Sequence, residues 1–226
     1  MRNGRRVILV VILFILLGIG VAYRSGRFPA LTQRITTLRT AAAQALGDSS
    51  QPTTHTSATT TTPKGGTPIE SVVQAANLHP TYYYHFSDKL PAAGIRVFND
   101  AIDTYNRTGI VHLVEGTAAN HDNRLTFSVY YKQMSPKQRL VELGHGGPEI
   151  IQETSTWGMA TWNHATASLN GNYRKAYTDT VAIHELGHAL GLGHSKSRQS
   201  VMYPYSEGRT RLAPADLTSL KAIYRQ

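Results

Sequence analysis

Hydrophobic patterning changes character three times along the chain. Residues 7–22 form an unbroken apolar run, preceded by Arg2, Arg5 and Arg6. The run is slightly shorter than the roughly 17–25 residues that cross a bilayer as a helix. Tyr23 can sit at an interface and the Arg24 head group can reach water, so a span is feasible. Between residues 28 and 46, Leu31, Ile35, Leu38, Ala42 and Ala45 recur at helical spacing. Residues 48–68 lose all periodicity. Thr, Ser, Pro and Gly dominate there, and a stretch with so little to bury reads as a disordered spacer.

Order is expected to begin between Ile69 and Tyr82. Residues 81–86 are rich in aromatics and read as a strand. Ile95, Phe98, Ala101, Ile102 and Tyr105 mark the apolar face of a helix over 91–106, with Ser87 or Asp88 as its cap. Residues 110–114 form the next strand. Leu125, Phe127, Val129 and Tyr131 alternate as in a half-buried third strand. Gly144, Gly146, Gly147 and Pro148 suggest a loop within 132–157. Residues 157–169 contain a further strand, and Asn170-Gly171 is a turn signal. Val181, Ala182, Leu186, Ala189 and Leu190 give one face of a helix capped by Thr178 or Asp179. Pro214, Leu217, Leu220, Ile223 and Tyr224 mark a final amphipathic helix. The chain thus divides into a membrane segment (1–23), a juxtamembrane helical segment (24–47), a spacer (48–68) and one folded domain (69–226).

Charge sharpens this division. The net charge of +9 would suit nucleic acid if it were spread over the domain. Instead residues 1–47 hold seven Arg and no acid, while the remainder is nearly balanced, so the excess concerns a membrane and no nucleic-acid partner is expected. The run 7–22 is either an uncleaved signal-anchor, with the N-terminus inside, or a signal peptide cut after Ala22. The first places the domain outside the cell on a single-pass anchor; the second secretes it. Cys is absent, which excludes disulfides, thiolate zinc sites and cysteine nucleophiles. It also fits an exported protein of bacteria without strong disulfide machinery.

The densest chemistry lies at residues 184–194, which read H-E-x-x-H-x-x-G-x-x-H. Four residues along a helix advance about 6 Å and turn a little more than once, so His184 and His188 project from one face. That spacing lets two imidazoles share one ion at roughly 2.0–2.1 Å. Glu185 lies beside the ligands, where a base must be to take a proton from water. A continued helix could not return His194 to the same ion. The chain must turn, and Gly191 accepts φ > 0 at little cost. Three nitrogens leave a tetrahedral zinc one open position.

This stretch resembles the zinc-binding consensus of the metzincin clan of metalloproteases. Ser195 after the third His, and the S-x-M-x-P pattern of Ser200, Met202 and Pro204, are similar to the matrixin branch. The resemblance covers about residues 80–226 and is specific only from His184 to Pro204. It implies an α+β fold: a twisted, mainly parallel sheet with an active-site helix and a C-terminal helix. It implies one catalytic Zn(2+) on His184, His188 and His194, Glu185 as general base, Met202 as an apolar floor and Pro204 as a wall of a substrate pocket. A cleft-bordering strand within 157–169 and a specificity loop over 205–212 follow from the same resemblance. Matrixins often carry structural zinc and Ca(2+), but their His-x-Asp pattern is not found: His121, Asp122 and His164 are not so arranged. His145 and Glu149 are read as solvated, and no second metal is expected. The expected activity is zinc-dependent endopeptidase action on extracellular or cell-surface proteins. The alternative is a non-catalytic, surface-anchored module that keeps fold and metal.

Overall fold

The alternating strand and helix patterns assemble into a mixed sheet with helices packed against it. The computed structural model describes residues 62–74, 76–135, 141–156 and 158–224. The expected membrane segment and juxtamembrane helix, and most of the expected spacer, lie outside these residues. Among the described residues, no helix is long and apolar enough to cross a membrane.

Strand β1 (Thr81–Phe86) leads into helix α1 (Ala92–Asn106), which returns the chain to β2 (His112–Glu115) and then β3 (Asn123–Tyr130). β1 lies between β2 and β3 and is parallel to both. A helical crossover is what a parallel β1–β2 pair requires. The expected cap of α1 is not made. Pro91 occupies the N-cap position with no side-chain cap, while Ser87 closes a turn by accepting from Leu90 N–H at 2.9 Å.

The region expected as loop instead contains two strands. β4 (Gly144–Gly147) and β5 (Ile150–Ser155) precede the long strand β6 (Gly158–Asn170). The first half of β6 pairs antiparallel with β5, and the second half lies between β3, parallel, and β4, antiparallel. β4 therefore ends the sheet order β2-β1-β3-β6-β4. The strand bordering the cleft is β4 and not β6, a correction to the expectation for 157–169.

A short 3-10 turn (Arg174–Ala176) leads to α2 (Asp179–Ala189), and α3 (Pro214–Ile223) closes the domain. Tyr82, Leu125, Phe127, Ala167 and Leu169 from the sheet meet Phe98, Ala101 and Tyr105 of α1, Leu186 of α2 and Leu190 just past its end, all fully buried. Burying each Leu or Phe side chain contributes about 1.5–3 kcal/mol before the entropy of ordering it is subtracted. The α+β class and the mainly parallel sheet agree with the sequence expectation.

Order begins earlier than the pattern suggested. Residues 62–68, read as spacer, pack on α3: Thr67 N–H donates to Ala215 O at 3.1 Å, and Ser219 Oγ donates to Thr67 O at 2.5 Å. Ile69 then bridges Leu192. These contacts join positions more than 120 residues apart, which no local periodicity reports.

Candidate active site

Helix α2 ends where the motif needs it to. Leu192 N–H donates to Gly187 O and Gly191 N–H to His188 O, both at 2.9 Å, with Gly191 at φ 98°. This six-to-one and five-to-two pair is the Schellman ending, in which a left-handed residue turns the chain off the helix. Two further carbonyls at this end are satisfied from the core. Asn163 Nδ2 donates to Ala189 O at 3.1 Å, and Tyr224 OH donates to Leu190 O at 2.9 Å. The reversal carries His194 back beside the helix.

His184, His188 and His194 form the one group of three or more metal-ligating side chains that converges among the described residues. His188 Nε2 lies 3.1 Å from His184 Nε2 and 3.2 Å from His194 Nε2. Nitrogens bound to one tetrahedral zinc at roughly 2.0–2.1 Å stand about 3.3 Å apart, so the donor set fits that ion. The opposite nitrogens hold two of the rings. His184 Nδ1–H donates to Val201 O and His188 Nδ1–H to Leu192 O, both at 2.8 Å. Such bonds set the tautomer that leaves Nε2 free as a ligand. Burial pushes the His184 imidazole down to about 4, assisted by the neighbouring His188 and opposed by its bond to Val201. His194 is also lowered, chiefly by burial. Neutral rings are what a cation requires.

Glu185 is 7 % exposed. Burial raises its carboxyl to about 7, opposed by His188 and reinforced by Glu142. Met202 is fully buried with its sulfur directly under Gly187, where any Cβ would collide with it. Pro204 is exposed and lines the cleft with Tyr203, His184, Glu185 and His194. The three histidines, Glu185 and Pro204 therefore meet at one place, with Met202 packed against Gly187 of α2. His121 does not join them; it pairs with Glu153 at 2.7 Å and packs on Trp162. His145 stands on β4, and the Glu149 carbonyl accepts from His164 N–H at 2.9 Å.

Four residues make contacts around the site that the sequence reading did not place. Gly144 and Gly146 of β4 lie against Glu185, where a Cβ would strike its side chain or its carbonyl. Glu70 places a carboxylate oxygen 3.5 Å from His188 Nδ1, and its own N–H donates to Gly191 O at 2.8 Å. Asp216, fully buried, accepts from Thr67 Oγ1 and Ser200 Oγ at 2.5 Å, Ala213 N–H at 2.8 Å and Val201 N–H at 3.2 Å. It thus ties the turn beneath the histidines to both ends of the domain. An acid three residues into a helix hints at a cap, but its other partners are not local.

Comparison with known proteins gives a consistent set of likenesses. The family model described as Matrixin matches residues 103–225. Matrix metalloproteinase-19 of Homo sapiens is 44% identical over 57 residues, 24% of this chain and 11% of that protein. Metalloendoproteinase 1 of Glycine max is 45% identical over 49 residues, 20% of this chain and 16% of that protein. The matches thus span only a small part of these relatives' own length. Among solved structures, the hatching enzyme zinc-protease High choriolytic enzyme 1 of Oryzias latipes has a TM-score of 0.42 at 13% identity. It covers 64% of this chain and 88% of that one.

Proposed function

This chain belongs to the matrixin family, and on that footing we propose that it is a zinc-dependent endopeptidase acting on extracellular or cell-surface proteins. The observation that carries the reading is the convergence of three imidazole Nε2 atoms beside a buried carboxyl in an open cleft. His184, His188 and His194 would hold the ion. Zinc bound there supplies Lewis acidity and a more acidic water. Glu185 is assigned as general base: it takes the proton of the attacking water and returns it to the leaving amine. In the metal-free protein burial raises the proton affinity of this carboxyl, the direction that suits a base. Met202 supports the helix that carries two ligands and the base, and Pro204 walls the cleft. The Arg-flanked apolar run 7–22 supports delivery to the outer face of a membrane, by anchor or by secretion.

The test uses the full chain and Glu185→Ala. Zinc is measured by elemental analysis, and turnover with a quenched-peptide library, with and without a chelator. One zinc per chain is expected in both proteins. Chelator-sensitive cleavage is expected only in the wild type, with a loss of at least about 10²-fold in the variant. Wild-type turnover by Glu185→Ala would remove Glu185 as the base, and a folded, zinc-free wild type would remove the metal assignment.

A further inference from the structure

Taking the peptidase reading as its ground, we infer that the cleft selects substrates with an acidic side chain close to the cleaved bond. The cleft encloses about 760 Å³ beside the histidines. Two segments distant in sequence bring cations to its wall: the turn before α2 supplies Arg174 and Lys175, and the loop after the Met202 floor supplies Arg209.

Three carboxylates line the same cleft, and their situations differ. Glu142 accepts from Lys132 Nζ at 2.7 Å and Tyr130 OH at 2.8 Å. Glu207 lies 3.7 Å from Arg198 Nε. Glu185 stands buried on α2 beside the histidines. Among the described residues, Arg174, Lys175 and Arg209 have no carboxylate partner. Away from Glu185, the wall therefore presents paired acids and unpaired cations.

Exposed cations on a convex surface would be worth little, because solvent and salt screen them. In a concave wall, the surrounding low-dielectric protein focuses their field inward. A carboxylate placed among them gains charge-assisted hydrogen bonds that an amide of the same shape gains only weakly. Val181 and Tyr203 add apolar lining on which the methylenes of a Glu side chain can rest. This makes the pocket charge-selective.

The experiment uses the full chain and matched peptides carrying Glu or Gln, and Asp or Asn, at each of the two positions on either side of the bond. Cleavage sites are located by mass spectrometry. The expected result is a kcat/KM ratio of acid to amide of about tenfold or more at one of these positions in low salt, shrinking as ionic strength rises. In Arg209→Glu, and independently in Arg174→Glu, the ratio falls, and peptides with Lys at that position gain. A ratio within about twofold at all four positions overturns the inference, as does a preference that both variants leave intact. Fluorescence anisotropy on the same peptides separates the two levels of the argument. Acid-selective binding without hydrolysis of any peptide leaves the pocket standing and removes the peptidase reading. Hydrolysis without selectivity does the reverse.

Discussion

Glu185 and His184 are neighbours on one helix, and burial moves their protonation in opposite directions. Glu185 rises from its ordinary 4.5 to about 7, so the folded state binds more protons than the unfolded one. Its contribution to stability is complete below pH 4.5 and is lost as pH rises through 7. His184 falls from its ordinary 6.5 to about 4. Its contribution is present above pH 6.5 and is lost as pH falls through 4. Each shift corresponds to about 3 kcal/mol, and the two windows overlap between 4.5 and 6.5. In protein freed of metal by chelation, the Glu185 slope should offset that of His184 there, leaving the slope of His194, which burial also lowers. Replacing Glu185 by Gln should expose the His184 slope, giving a variant that loses stability steadily from pH 6.5 towards 4. Denaturant titrations across that range check this; parallel curves for wild type and variant would refute it. At this scale the sequence was most legible. The ligands, the base and Gly191 lie within eleven residues, and a helix followed by a turn dictates where each one points. Glu70 and Asp216 were not legible, because their partners are distant in the chain and nothing around either residue records them.

Among the elements, β4 differs most from its sequence signal. Its run of glycines reads as a loop, since glycine weakens a strand and packs nothing. The structure supplies the reason they are there. A Cβ on Gly144 or Gly146 would meet Glu185, whereas one on Gly147 meets nothing within 4 Å. Glycine here lets an edge strand approach a helix more closely than any other residue allows. Gly146→Ala should therefore displace β4 from α2, cost about 1–3 kcal/mol and lower kcat/KM by moving Glu185. Gly147→Ala should change thermal stability by less than about 0.5 kcal/mol. Equal behaviour of the two variants would remove the close-approach argument. β1, α1, β3, α2 and α3 were legible to within a residue or two, because alternating and helical periods survive wherever one face is buried. β6 was legible too, its strand expected within 157–169 and found at Gly158–Asn170, whereas β5 was missed because its residues are partly or fully exposed, which blurs that alternation.

At the scale of the molecule, the folded domain begins before the pattern of buried residues does. Residues 62–68 contain one fully buried polar side chain, Thr67, whose hydroxyl is 2.5 Å from Asp216. Composition assigned this stretch to the spacer, since Thr, Pro and Gly are what a spacer contains; only the partner distinguishes it. Thr67→Val keeps the shape and removes the donor, leaving Asp216 one hydrogen bond short. Thermal unfolding should show a loss of about 1–3 kcal/mol. An unchanged midpoint would mean that Asp216 is satisfied without Thr67.

The same carboxylate holds Val201 N–H, and the carbonyl of Val201 holds the ring of His184. The strap at Thr67, the turn beneath the histidines and the start of α3 therefore share one point of attachment. Fraying of any of the three begins by giving up bonds to Asp216, so they open as one unit rather than three. The service life of the histidine cluster is governed by the least durable of these segments, and two of them lie well outside the motif that identifies it.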